Sequence, residues 1–102
     1  MSLEVKIHNL IADITDPSVR IDIASTLYYL ADVYASGKAN EDEIRDSLLD
    51  ICATVIGLKE AGLTHDEIMK KARAMVEELM RAFRAETMRR RTLSRYSMRF
   101  RL

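Results

Sequence analysis

Eight arginines lie within the last 22 residues of this 102-residue chain, and their type and spacing indicate the chemistry of this segment. A guanidinium group keeps its charge at any accessible pH and binds phosphate or carboxylate through paired hydrogen bonds. Five of the eight cations in the first 80 residues are lysine, so the preference for arginine belongs to the C-terminal segment alone. The eight are Arg81, Arg84, Arg89, Arg90, Arg91, Arg95, Arg99 and Arg101.

The charge of the chain is strongly polarised along its length. Residues 81–102 contain one acidic residue, Glu86, and carry a formal charge of +7, whereas residues 1–80 carry −7 and the total is zero. Cations near a helix C-terminus gain about 0.3–1 kcal/mol each from the helix dipole, which accounts for one or two arginines but not for eight. The asymmetry indicates a basic arm for an anionic partner: nucleic acid, an anionic membrane surface, or the acidic body of another protein.

Aromatic residues alternate with the last arginines. Tyr96 and Phe100 lie among Arg95, Arg99 and Arg101, and stacking surfaces beside phosphate-binding charge are typical of proteins that bind nucleic acid. The leading hypothesis is a small, non-enzymatic, nucleic-acid-associated protein. The candidate binding residues are Arg84, Arg89, Arg90, Arg91, Arg95, Tyr96, Arg99, Phe100 and Arg101.

The alternative hypothesis is a protein-interaction or self-assembly module, whose arm docks on the acidic body of a second copy or on another acidic partner. The opposite charges of arm and body cancel, and an apolar tail left exposed would favour aggregation. Leu93, Tyr96, Met98 and Phe100 are therefore expected to pack against something under either hypothesis. Attachment of the basic segment to an anionic membrane surface is a third possibility.

Residues that carry catalysis or bind cofactors are few. Glu4 and His8 have helical spacing for two metal ligands, but a third and fourth ligand at fixed spacing are missing, and His65 lies beside a predicted helix start. Cys52 lies on an apolar stripe and is expected to be a buried, unreactive thiol. The three glycines are dispersed, so no phosphate-binding loop is predicted. We expect no catalytic activity, metal or cofactor.

Four blocks of apolar residues recur with a period near 3.6, which predicts four amphipathic helices. Alternation at the start of the chain also fits a strand, but five residues that continue to Ile14 favour a helix. The predicted N-caps are Ser2, Asp16, Asn40 and Thr64, and the predicted C-terminal glycines are Gly37 and Gly62. The main apolar stripes are Leu3, Ile7, Leu10, Ile11 and Ile14; Ile23, Leu27, Leu30 and Tyr34, with Tyr28 beside them; Ile44, Leu48, Ile51, Val55 and Leu58; and Ile68, Ala72, Met75, Leu79 and Phe83.

The joint between the third and fourth blocks, residues 58–68, has the sequence Leu-Lys-Glu-Ala-Gly-Leu-Thr-His-Asp-Glu-Ile. It is similar to the helix-turn-helix corner of several DNA-binding regulator families. Its physical content is a glycine C-cap followed by a capping box, which any tight joint between helices can use. Because the apolar period then continues through Leu79 and Phe83, no separate recognition helix is defined and no base-contacting residue is assigned.

These elements predict an all-α, up-and-down bundle of about four helices, with a bundle domain at residues 1–86 and a basic arm at residues 87–102. The fourth helix is expected to be longer than the others and to carry the arm. Residues 93–102 fit either a helix or a strand, and the pattern does not decide between them. The lack of a membrane-spanning segment and of a signal sequence favours the cytoplasm, and the absence of Gln with only two Asn is typical of thermophilic proteins.

Overall fold

The structure, a computed structural model, describes the backbone of residues 2–99 and the side chains of residues 2–94. This part of the chain is all-helical and contains four helices, as predicted. Three loops of five residues each connect them. The helices are α1 (Leu3–Ile11), α2 (Pro17–Ala35), α3 (Glu41–Lys59) and α4 (His65–Arg99).

The predicted helix boundaries are confirmed where capping chemistry defines them. Each predicted N-cap side chain accepts a hydrogen bond from a backbone N–H in the first turn of its helix. Gly37 directly follows the C-cap Ser36 with φ of +72°, the left-handed region that glycine adopts without strain. Gly62 also has a positive φ, +82°, but it lies two residues after the extended C-cap of α3, Glu60, so it forms the turn between α3 and α4 and does not itself end α3 as predicted. The N-cap hydrogen bonds are Val5 N to Ser2 Oγ at 3.3 Å, Ser18 N to Asp16 Oδ1 at 2.9 Å, Glu43 N to Asn40 Oδ1 at 2.9 Å and Glu67 N to Thr64 Oγ1 at 3.2 Å.

Short loops make successive helices antiparallel, and ion pairs along α3 and α4 show this directly. Lys71 Nζ lies 2.6 Å from a carboxylate oxygen of Glu60, and Arg45 Nε lies 2.9 Å from Glu77 Oε1. Residue numbers therefore rise along α4 as they fall along α3. The α3–α4 seam is the most extensive contact in the bundle, and α1 and α2 complete it on the other sides of α4.

The core lies where the four apolar stripes meet. Phe83 of α4 packs against Tyr34 of α2 with ring centroids 6.1 Å apart, an ordinary separation for an aromatic pair. Met80 is fully buried although it lay outside the predicted stripe. The buried apolar residues are Leu3, Ile7, Leu10, Ile14, Leu27, Leu30, Ala31, Ile44, Leu48, Cys52, Val55, Ile56, Ala72, Val76, Leu79, Met80, Ala82 and Phe83.

Three details of the predicted stripes are wrong. Helix α1 ends at Ile11, so Ile14 is buried from the following loop, where its carbonyl oxygen accepts a 2.6 Å hydrogen bond from Arg20 Nη1. Leu58 is 56% exposed because it lies at the edge of the buried face in the last turn of α3. Tyr28 is 39% exposed because it faces an open groove beside the short helix α1.

Candidate functional site

The first arginine of the candidate site, Arg84, forms hydrogen bonds between helices at one end of the bundle. Its Nε and Nη2 atoms donate to the two carboxylate oxygens of Glu41 at 3.0 and 3.2 Å. Tyr34 donates its hydroxyl to the same carboxylate at 3.0 Å. Hydrogen bonds from Arg84 and then from Tyr34 lower the pKa of Glu41, and burial followed by the Glu41 carboxylate raises the pKa of Tyr34. Arg84 thus joins α4 to the first turn of α3.

The next two arginines, Arg89 and Arg90, bind the single carboxylate of the C-terminal segment. Arg89 Nε and Nη2 lie 2.9 and 2.7 Å from the oxygens of Glu86, and Arg90 Nε donates to the same residue at 2.9 Å. The Arg89 hydrogen bond is the main reason that the pKa of Glu86 falls to about 2, with Arg90 adding to the effect. Arg90 also reaches Asp32 of α2 at 2.8 Å. Both guanidiniums are therefore partly neutralised within the chain.

Arg81 and Arg91 differ from these three arginines. Both are exposed, and neither forms an ion pair or a hydrogen bond with any side chain of residues 2–94. Lys70 and Arg73, earlier on α4, are likewise exposed and make no ion pair with a described side chain. We call these four residues, Lys70, Arg73, Arg81 and Arg91, the outer basic face.

The outer basic face follows from helical periodicity. At about 100° per residue its four members fall within an arc of roughly 80° on the helical wheel, so they recur on the exposed side of α4 that borders α3. At a rise of about 1.5 Å per residue, Lys70 and Arg91 are roughly 32 Å apart. Glu77, which shares this side of α4, is bound by Arg45 of α3. The face is therefore a line of cations without free carboxylates between them.

The candidate site predicted from the sequence overlaps the outer basic face only in part. Arg91 was predicted as a site residue, whereas Lys70, Arg73 and Arg81 were not. The signal that identifies these three is the same helical spacing that predicted the core, applied to the opposite side of the helix. Counting charge along the sequence does not separate an arginine bound to a carboxylate from one that is free.

The remaining predicted site residues belong to the end of the chain. Arg95, Tyr96 and Arg99 lie in α4, and their side chains are outside the described part. Phe100 and Arg101 lie outside the described residues altogether. The roles predicted for these five residues remain predictions.

Burial changes sharply at the predicted boundary between bundle and arm. Thr87 is buried to 7% exposure, and its hydroxyl has no hydrogen-bond partner in the described structure. Met88 and Leu93, by contrast, are 62% and 52% exposed. Leu93 is therefore not buried against the body of its own chain, and the expectation that it packs against another molecule stays a prediction.

The other chemistry considered from the sequence gains little from the structure. The expectation that Cys52 is buried is confirmed, and burial raises the pKa of its thiol to about 12. Residues 2–99 bring together no group of three or more His, Cys, Asp or Glu side chains that could hold a metal ion. The helices of this part also include none that is long and apolar enough to cross a membrane.

Comparison with protein-family models, with curated proteins and with solved structures gives no match. The site is therefore interpreted from its own charges, distances and exposure.

Proposed function

We propose that this protein binds nucleic acid through phosphate contacts made by α4, with the arginines of its C-terminal segment extending the outer basic face. The observation that supports this proposal is the line of unpaired cations from Lys70 to Arg91 on one side of a single helix. A line about 32 Å long is close to one turn of duplex DNA, which rises roughly 34 Å.

In this proposal the intrachain pairs and the free cations have different roles. Arg84 and Arg90 fix α4 against α3 and α2 through Glu41 and Asp32, whereas Arg89 is held by Glu86 within α4 itself. Arg81 and Arg91 then present their guanidiniums from a positioned helix, which reduces the entropy lost when they bind phosphate. Phosphate contacts of this kind position a protein on the polymer without reading its bases, so we propose binding without sequence specificity.

Salt dependence gives the quantitative test. The four cations of the outer basic face would give a slope of log affinity against log salt of about −4 on duplex DNA, at roughly −0.9 per neutralised phosphate, and about −6 where Arg95, Arg99 and Arg101 also contact phosphate. Replacing Arg81 and Arg91 by Gln reduces the magnitude of this slope by about 2. Fluorescence anisotropy of a labelled duplex across a salt series measures both values.

The matched control is Lys38→Gln, compared with the single variant Arg81→Gln, because Lys38 is an exposed cation outside α4 that likewise makes no ion pair with a described side chain. Its slope is expected to equal that of the wild-type chain. Failure of the wild-type chain to bind duplex or single-stranded nucleic acid at low salt contradicts the proposal. Equal slopes for the wild-type chain and the Arg81 and Arg91 variant contradict the assignment of the outer basic face.

A further inference from the structure

A second surface of the bundle has the opposite chemistry. It is an open groove of about 220 Å³ between α2 and α3. Each helix contributes the same pattern to it, Asp-Ile-x-x-Thr, at residues 22–26 and at residues 50–54. The two helices are antiparallel. Asp22 of α2 therefore lies toward the same end of the groove as Thr54 of α3, and Asp50 lies toward the same end as Thr26. The groove has an isoleucine floor and a carboxylate toward each end.

The polar groups of this groove are unequally available to a ligand. Thr26 Oγ1 donates to the carbonyl oxygen of Asp22 at 2.8 Å, and Thr54 Oγ1 donates to that of Asp50 at 2.9 Å. The hydroxyl protons are therefore used within each helix. The carboxylates of Asp22 and Asp50 are exposed and form no ion pair with any side chain of residues 2–94. A ligand for this groove needs apolar side chains for the floor and cations for the ends.

Residues 93–102 of this same chain have that composition, since apolar or aromatic residues alternate there with arginines and serines. Leu93, the described apolar residue of this segment, is 52% exposed. Charge complementarity is also large, with −7 on residues 1–80 and +7 on residues 81–102. We propose that the α2–α3 groove binds the C-terminal segment, residues 93–102, of a second copy of the chain.

The geometry of α4 favours a second copy over the same chain. Arg84 pairs with Glu41 at the end of the bundle, and α4 continues from there to Arg99, a further distance of about 22 Å. Residues 100–102 span at most about 10 Å when extended. The groove lies between the middle of α2 and the middle of α3, so residues 93–102 of the same chain do not reach it. If two copies each bind the C-terminal segment of the other, a closed dimer forms. If each copy binds the segment of a different neighbour, a longer assembly forms.

The test is the solution mass of the full chain, measured by sedimentation velocity at low and high salt. We expect the wild-type chain to exceed its monomer mass of 11.7 kDa at low salt. The variant Asp22→Asn with Asp50→Asn should associate about tenfold more weakly, because two ion pairs at the ends of the groove are lost. The matched control, Asp13→Asn with Asp46→Asn, removes the same charge from residues outside the groove and should associate like the wild-type chain.

A pair of variants with exchanged charges distinguishes the loss of ion pairs from misfolding of a single variant. A chain with Asp22→Arg and Asp50→Arg, and another with Arg95→Asp and Arg99→Asp, should each associate poorly alone and should associate when mixed. A monomeric wild-type chain at every salt concentration, an equal loss in the control variant, or a mixture that stays monomeric overturns the proposal. Nucleic-acid binding can be measured independently on the Asp22 and Asp50 variant, because this variant keeps every arginine of the chain.

Discussion

At the scale of single residues, the decisive distinction is between arginines that are bound by carboxylates and arginines that are not. Glu86 illustrates the first kind, since its side chain is only 14% exposed and two guanidiniums converge on it. Bidentate guanidinium–carboxylate pairs are among the stronger surface ion pairs because two parallel hydrogen bonds fix their geometry. Glu86 therefore acts as the anchor for two arginines that the sequence alone predicts to be free.

The lowered pKa of Glu86 predicts a pH dependence of stability. The pKa falls from 4.5 to about 2 in the folded protein, so the carboxylate stabilises the fold fully above pH 4.5, and this contribution is lost as the pH falls toward about 2. Replacing Glu86 by Gln removes a group that titrates in this range. We expect the variant to be less stable at neutral pH and to lose less stability between pH 4.5 and 2.

Urea unfolding followed by circular dichroism at several pH values measures the effect. The control is Asp66→Asn, an exposed carboxylate for which no intrachain ion pair is found among the described side chains. Its acid profile is expected to follow that of the wild-type chain. The prediction is contradicted if the free energy of unfolding of Glu86→Gln falls in parallel with that of the wild-type chain from pH 4.5 to 2.

At the scale of elements, the two glycines of the α3–α4 region have opposite roles. Gly62 lies in the loop between α3 and α4 with φ of +82°, a backbone conformation that is strained for residues with a Cβ atom. Gly57 lies within α3 with ordinary helical geometry, and an added Cβ would meet no atom within 4 Å. The first glycine is required by the backbone, whereas the second only weakens the helix.

Substitution by alanine separates these roles. Gly57→Ala is expected to raise the free energy of unfolding by about 0.5–1 kcal/mol, because glycine in a helix interior costs conformational entropy. Gly62→Ala is expected to lower it by a similar or larger amount, because alanine is strained in the left-handed region. Urea unfolding of the two variants beside the wild-type chain measures the difference. Changes of the same sign are incompatible with this account.

Much of the fold could be predicted from the sequence, because caps and periodicity are local properties. Asp16, Asn40 and Thr64 each begin a helix where predicted, and Gly37 has the left-handed backbone expected after the end of α2. What could not be predicted depends on contacts distant in sequence. The pairing of Arg84 with Glu41 joins residues 43 apart, and the exposure of Leu58 depends on where the neighbouring helices end. Neither the Arg84–Glu41 pair nor the exposure of Leu58 is indicated by residues that are close in the sequence.

At the scale of the whole molecule, the predicted boundary between bundle and arm can be tested directly. Thr87 is buried and Arg90 pairs with Asp32, so contacts with the bundle extend past residue 86. A chain that ends at residue 86 loses these contacts and the end of its last helix. A chain that ends at residue 92 keeps them.

We expect the chain ending at residue 86 to lose about 1 kcal/mol of stability, which corresponds to a decrease in Tm of roughly 4–8 °C for a domain of this size. The chain ending at residue 92 should melt within a few degrees of the full chain. Thermal unfolding by circular dichroism compares the three. Equal melting temperatures for the two shortened chains would place the boundary at residue 86, as the sequence predicted.

The outer basic face begins within the bundle and lies on the same helix whose opposite side packs in the core. Ala72 and Phe83 face inward between cations that face outward, and no glycine or proline follows Thr64. A polymer bound along this face would lie against the protein itself, with no tether between them. The body would then keep one orientation relative to the phosphates that it contacts, and each copy bound along the polymer would present its α2–α3 groove at the same angle to the local strand.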